Sequence, residues 1–521
     1  MFPRKRKAKK ALLIRTNFWE EILGSYDILK EIKEKFDLDE VELLTAEDTG
    51  SHKFELSDKR YTDVVTFPTG RDKTLFLKLP RLIRKKKYQV VVLVFLRTRP
   101  QFNLKYIFCL FLCRGKKYLY LRGQGFVPLQ SKQAIQLLAE ALYWKLSLKP
   151  FILSRKKTSG ENAVILQNTP LSLMPQSRIL WIRPDYLGDV IMALPALRVL
   201  KENFPHAEID ALVREESSAL LCSLPEISRI HKLDIFPYSH PALTPKAYKE
   251  LFNELDQRQY ALAIDFRGDT NIWRLLHRLG IPVRVGRIDA LNSAHSHLLT
   301  HAAHPSDNRM HMVQQNVELL NQIGISPAKV MNSLSVSLQQ LQEVESRLAE
   351  AGITTPFIVL HARSANSIKE WVPERFAVIA DYLINQYGIT VLITGSAADK
   401  TYNDVILKSM SRTDRVFNMA GWFKLEFLPA LLKKADLLVT IDSAPSHIAA
   451  AVGTTVIALM LPHLQYSYRP HGECHKVITP TENQIERLLN NGFQDRLLEA
   501  ISVNDVIREI DVVLRNKKYI L

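Results

Sequence analysis

Three short clusters in this 521-residue chain bring together side chains able to do chemistry. The first runs Arg183-Pro184-Asp185-Tyr186-Leu187-Gly188-Asp189: one guanidinium, two carboxylates and a glycine within seven positions. A glycine there lets a ligand approach the backbone closely, and Asp189 would stand at the mouth of a crevice. The second holds Arg363, Ser364, Ser367 and Lys369, and the third Asp442, Ser443, Ser446 and His447. Serine hydroxyls, one lysine and the N-terminus of a helix form a diphosphate site when they converge, because amide donors and positive charge meet the anionic oxygens.

The elements that must position these residues are legible from the apolar spacing. Ile179 to Ile182 is too short for a helix and reads as a buried strand, and Pro184 disfavours a helix through the turn. From Leu187 the apolar residues fall at helical spacing, and Ile209 to Val213 completes a β-α-β unit. Such units present ligands at the C-terminal ends of their strands. The pattern continues with strands at Ala261–Phe266 and Val283–Gly286. A further doubly wound domain follows: helix Gln339–Ala351, strand Phe357–Leu360, helix Pro373–Tyr387 and strand Thr390–Thr394. It continues with helix Lys424–Lys434, strand Asp436–Ile441, helix His447–Val452 and strand Thr455–Leu461. A helix over Gln494–Arg515 is expected to cross back and brace the two domains.

Composition confines the rest. Of 70 basic and 54 acidic residues, 34 and 16 fall in the first 160 positions, so that third carries the positive charge. From Lys73 to Ala139 there are 15 basic residues and no acidic one. Such a surface favours an anionic lipid or glycolipid partner. No nucleic acid is expected, since no zinc-finger, RRM-like or KH-like signature accompanies the charge. Cys109, Cys113, Cys222 and Cys474 show no metal spacing and suit a reducing cytoplasm. No window reaches the length of a membrane span. His295, His297, His301, His304 and His311 lack a helical metal pair and read as a substrate-facing loop without metal. Neither GxxxxGK[ST] nor a GxGxxG after a first strand occurs, which argues against a P-loop ATPase and a dehydrogenase.

The start of the chain repeats its middle. Leu12 to Trp19 aligns with Leu180 to Leu187 at a shift of 168, and Ile28–Leu44 parallels Ala196–Leu212. Tyr88–Leu93 likewise parallels Tyr260–Asp265. The Gly-Asp pair has become Glu20-Glu21, so this copy is expected to keep a Rossmann-like fold and lack chemistry. The fold class expected is α/β: two facing doubly wound Rossmann-like domains, as in GT-B glycosyltransferases, plus an extra N-terminal Rossmann-like domain. The boundaries are 1–153 for the basic domain, with an amphipathic membrane-surface helix over 131–153, and 154–176 for a linker. Residues 177–334 form the acceptor-side domain, 335–493 the donor-side domain and 494–521 the bracing helix.

Three blocks carry a more specific likeness: IRPDYLGDVIMALPALRVLKENFPHAEI, SANSIKEWVPERF and DLLVTIDSAPSHIAAAVGTTVIAL. With them, residues 177–480 resemble the heptosyltransferase family (glycosyltransferase family nine), which adds ADP-activated heptose to lipopolysaccharide core. The resemblance implies an inverting, metal-independent transfer of a heptose-like sugar to lipopolysaccharide core or another surface glycan. Asp189 would be the general base and Lys369 would neutralise the leaving diphosphate. Ser364, Asp442, Ser443, Ser446 and His447 would hold the donor, while Arg183, Asp185 and Gly188 would meet the acceptor, Arg183 through an acceptor phosphate. No cofactor is implied beyond the nucleotide-sugar donor, ADP-linked in the family. Two departures stand out: Ala444 replaces a glycine, and Leu461-Pro462-His463 replaces Gly-Pro-Thr. The location expected is cytoplasmic, with residues 1–160 touching the inner-membrane surface. The rival readings are a non-catalytic nucleotide-sugar-binding scaffold and a nucleotide-sugar epimerase of the GT-B type.

Overall fold

The computed structural model divides the chain into two compact units, Met1–Thr158 and Ser159–Leu521. In the first, the described residues are six strands. In the second they run from 171 to 517, apart from 172, 175, 234–244, 289–292, 305–308, 327–329, 354–355, 365–368 and 491–496. The proposed surface helix over 131–153, the Glu20-Glu21 pair and most of the linker lie outside the described residues.

The first unit's strands are β1 (Lys10–Arg15), β2 (Glu40–Glu47), β3 (Asp63–Pro68), β4 (Val90–Phe95), β5 (Lys116–Leu121) and β6 (Gly125–Pro128). They lie in the order β3-β2-β1-β4-β5-β6, parallel except for β6. β1 and β4 fall on the two repeated strands of the sequence reading. The segments that would wind over this sheet are outside the described residues.

The second unit contains two parallel sheets. The first is built of β7 (Arg178–Ile182), β8 (Glu208–Val213), β9 (Arg229–Lys232), β10 (Leu262–Asp265), β11 (Val283–Arg287) and β12 (His301–Ala303). Between them come α1 (Leu187–Asn203), α2 (Glu215–Leu221), α3 (Pro245–Arg258) and α4 (Thr270–Arg278), and after β12 comes α5 (Met312–Glu318). The order β12-β11-β10-β7-β8-β9 reverses direction between β10 and β7.

The second sheet follows α6 (Leu338–Glu350). It comprises β13 (Phe357–His361), β14 (Thr390–Thr394), β15 (Val416–Asn418), β16 (Leu437–Ile441), β17 (Val456–Leu459) and β18 (Lys476–Ile478). Its helices are α7 (Pro373–Tyr387), α8 (Lys400–Ser409), α9 (Leu428–Lys434), α10 (Ala444–Ala451), α11 (Gln465–Tyr468), α12 (Glu482–Asn490) and α13 (Val503–Asn516). Its order, β15-β14-β13-β16-β17-β18, reverses between β13 and β16. Each reversal opens a crevice at the C-terminal strand ends, where ligands bind in such sheets.

α1 shows why the two domains stay together. Gly188, Val190 to Leu197, Val199 and Leu200 are all buried, so the helix has little polar face over its first three turns. A helix apolar nearly all round must be covered on both sides. β7 and its neighbours cover one side of α1 and α10 packs on the other, joining both domains in one apolar core. The small residues of α10 (Ala444, Ala449, Ala450, Ala451) allow the close approach.

Three local expectations change. α10 begins at Ala444, three residues before the predicted start, because Pro445 suits the first helical turn. The predicted helix Lys424–Lys434 opens as a 3-10 turn, Leu425–Phe427, before α9. The C-terminal helix, expected to brace both domains, packs on α7 of the domain that holds the second sheet, where Tyr382 and Tyr387 hydroxyls donate to Asp511. Its start is set by a capping box at Ser502 and Asp505.

At the opposite end of the first sheet, fully buried Asp210 accepts from Arg258 Nε at 2.7 Å and from the Tyr260 hydroxyl at 2.7 Å. Burial alone would raise its pKa, but bonds from His231, Arg258 and Tyr260 outweigh it and hold the carboxyl at about 2. A depressed carboxylate adds stability above its unfolded pKa of about 4 and loses it as pH falls through the folded value. Arg258→Ala should therefore lower unfolding free energy by about 3 kcal/mol in urea titrations near neutral pH. The deficit should shrink as pH drops from about 4 toward the folded pKa.

Candidate active site

The first wall begins where β7 ends. Arg183 is 4% exposed and spans two loops: one amine donates to the Phe266 carbonyl after β10, and Nη2 donates to Asp189 Oδ1 at 3.0 Å. Asp185 Oδ2 lies 3.8 Å from the same guanidinium. Asp189 sits in the first turn of α1, where a carboxylate is favoured by the helix dipole. Burial and the nearby Asp185 charge push its pKa up, Arg183 and Lys369 pull it down, and the balance is about 6.

The adjacent loop is shaped by Asp265. This buried carboxylate accepts from the backbone N–H groups of Arg267, Gly268 and Asp269 and from the Trp273 indole at 2.8 Å. Gly268 takes the left-handed φ of 83° that the tight turn requires. Arg267 Nη1 then donates to the Pro184 carbonyl at 3.1 Å, tying both loops across the crevice.

On the facing wall, Lys369 Nζ meets Asp442 Oδ2 at 2.6 Å. Asp442 is nearly buried, whereas 29% of the Lys369 side chain is exposed, which leaves its ammonium accessible to an anion. Ser443 Oγ donates to the Ile441 carbonyl at 3.2 Å and lies 3.1 Å from Thr440 Oγ1; it caps no N–H of α10. Ser446 Oγ donates back to the Ser443 carbonyl. Ser364 N–H approaches Glu370 Oε1 at 3.4 Å, and Ser367 lies outside the described residues. Arg363 braces this loop: it binds Glu370 at 2.7 Å and stacks on Tyr402 at 4.6 Å.

The two walls touch. A Cβ at Gly188 would come within 2.8 Å of His447 Cδ2, far inside contact distance. The sequence reading left that space for a ligand, but the His447 ring occupies it. Burial lowers the His447 pKa to about 4, so the ring is neutral, and its Nδ1 has no protein partner. The Lys369 charge acts on Asp189 from the far wall.

His311, expected on a substrate-facing loop, takes a different role, and the strand-end arginines beside Arg183 were not singled out in the sequence. His311 caps α5 through Nδ1, which accepts from Val313 N–H, and its Nε2–H donates to the Arg469 carbonyl at 2.7 Å. That bonding fixes a neutral tautomer, consistent with a pKa lowered to about 4 mainly by burial. His311 thus stitches the two domains. His295 and His297 lie on a 3-10 turn and His301 on β12, so these three are not the loop expected. Arg287 ends β11, bonds Gln315 and is pulled down to about 10 by burial and by the neighbouring Arg183. With Arg214 after β8 and Arg267 after β10, an arginine closes each of four adjacent strands. The Arg267-Gly268-Asp269 run after a readable strand was the available signal for that loop.

Two doubly wound domains meeting at their strand ends, with a carboxylate on one wall and a lysine and helix N-terminus on the other, define the GT-B class. Residues 248–491 match the family described as "Glycosyltransferase family 9 (heptosyltransferase)". The chain is 27% identical over 348 residues to lipopolysaccharide heptosyltransferase 3 of Escherichia coli (strain K12), covering 63% of this chain and 96% of that one. It is also 27% identical over 301 residues to lipopolysaccharide heptosyltransferase 2 of Salmonella typhimurium, covering 55% and 83%. Among solved structures, the glycosyl transferase family 9 protein of Veillonella parvula aligns with a TM-score of 0.57 at 21% identity, over 68% of this chain and all of that one. E. coli ADP-heptose lps heptosyltransferase II aligns with a TM-score of 0.54 at 22% identity, over 66% and 99%. The protein is a glycosyltransferase.

Because Gly188 sets the separation of the walls, Gly188→Ala should cut the transfer rate by about a hundredfold through misplacement of the reacting groups. Circular dichroism should show the fold retained; unchanged transfer by this variant would contradict the contact's importance.

Proposed function

We propose that the protein moves a heptose-like sugar from an ADP-linked donor to lipopolysaccharide core or another surface glycan, with inversion and without a metal. The observation that carries this is that Asp189 lies within electrostatic reach of Lys369, which pairs with Asp442 on the facing wall. Relatives named as lipopolysaccharide heptosyltransferases support the sugar and the acceptor. A solved structure of E. coli heptosyltransferase WaaC with ADP-2-deoxy-2-fluoro heptose, with a TM-score of 0.50, supports the fold.

In this reading Asp189 accepts the proton of the acceptor hydroxyl while that oxygen bonds to the anomeric carbon. The bond from that carbon to the diphosphate oxygen breaks on the opposite face, and the electron pair leaves with the nucleotide. Lys369 and the first N–H groups of α10 receive the growing charge. Ser364, Ser443, Ser446 and His447 would hold the donor, with the partnerless His447 Nδ1 available to it. Asp442 aims Lys369, and Asp185 and Gly188 border the acceptor's path. At three of the strand ends, Arg214, Arg267 and Arg287 suit an acceptor bearing phosphate or carboxylate groups. Ala444 and Leu461-Pro462-His463 are where donor preference would depart from ADP-heptose. The N-terminal sheet would belong to a degenerate Rossmann-like domain whose basic surface rests on the cytoplasmic membrane face.

Asp189→Asn should abolish transfer while leaving donor affinity within about twofold, because only proton acceptance is lost. Turnover close to the parent's would reject the base assignment. In the parent, kcat/KM should fall tenfold per pH unit below about 6, since the raised pKa leaves the base protonated there. Lys369→Ala should raise the melting-shift midpoint for ADP-sugars by about tenfold or more.

A further inference from the structure

The acceptor role given to Arg183 fits poorly with where it lies. Its guanidinium is 5% exposed and spent on two partners, the Phe266 carbonyl and Asp189 Oδ1 at 3.0 Å. Its backbone N–H is fixed as well, donating to the Leu212 carbonyl at 3.1 Å. The ends of β7, β8 and β10 thus meet at this residue, and its side chain links the last of them to Asp189.

We propose that Arg183 is a positioning residue: clamped by the Phe266 carbonyl, it holds one oxygen of Asp189 and leaves the other turned toward the acceptor hydroxyl. No other protein donor reaches Asp189 among the described residues. The contact is a single directional bond, Nη2 to Oδ1, from a rigid fork whose other amine is held by the Phe266 carbonyl, so it fixes the place of that oxygen. It also answers an electrostatic problem. Asp185 shares the loop with Asp189, and two carboxylates so close favour protonation of one of them. Arg183 lies between them, 3.0 Å from one and 3.8 Å from the other. The remaining groups around the pair are Lys369 and the neutral His447 ring on the opposite wall, and Tyr468 and Arg287 beside the guanidinium. Lys369 is bound to Asp442, so Arg183 is the cation that bonds the base directly.

The inference rests on Asp189 being the base, and the experiment separates the two. The pH profile of kcat/KM, the acceptor KM and the donor Kd are measured on the full chain for the parent, R183Q and R183K. With the cation removed, the acid limb of R183Q should move to higher pH by between about one and three units. R183K should keep the limb near the parent's position but lose about tenfold or more in kcat, because one ammonium lacks the fork that reaches the Phe266 carbonyl and Asp189 together. Donor Kd should be unchanged in both. Should R183Q not fold, the R183K pattern alone decides. An unmoved limb in R183Q, or a full kcat in R183K, overturns the proposal. A rise in acceptor KM alone would overturn it too, in favour of an acceptor-anion ligand. If D189N keeps its turnover, the base reading itself falls, whatever the Arg183 variants do.

Discussion

The contact between Gly188 and His447 is the constraint on which the site depends. Two helix N-termini, those of α1 and α10, come together because position 188 has no side chain and the facing helix is rich in alanine. Neither helix could tolerate water in that seam, since α1 is apolar almost all round. Hydrophobic burial therefore sets the distance between the walls, and the chemistry inherits it. His311, bonded to the Arg469 carbonyl, adds a directional tie to a seam otherwise held by non-directional packing.

Within that fixed opening the charges are arranged in opposed pairs. Arg183 faces Asp189 on one wall, and Lys369 faces Asp442 on the other. Each carboxylate is partly stripped of water, which costs free energy unless a cation is close. The pairs meet that cost while leaving one member of each available to a ligand. With its pKa raised to about 6, Asp189 remains ionised near neutrality and is more basic than an exposed aspartate, which suits the proton abstraction proposed for it.

The three sheets share one strand order, and in two of them the reversal point carries the candidate chemistry. The internal repeat of the sequence is in keeping with that shared order. The first copy has the strands in the same succession, but its Gly-Asp pair is replaced by Glu20-Glu21, which removes the glycine that permits close approach in the second.

Much of the layout was legible because it is local. Apolar periodicity marked β7, α1, α7 and β14 nearly to the residue, and Pro184 and Pro373 fixed where chain segments turn or begin. The glycine, the carboxylates and the serine-lysine loops could be picked out for the same reason. Partnership could not be read that way. That Gly188 makes room for His447, 259 positions further along the chain, follows from how two domains pack. That Arg183 is consumed by Asp189 and Phe266 follows from burial, which a pattern of residue types does not specify. The sequence alone determined the elements and the kinds of group at their ends. The tertiary structure decided which of those groups meet, because desolvation and competition between partners exist only once distant segments share the same space.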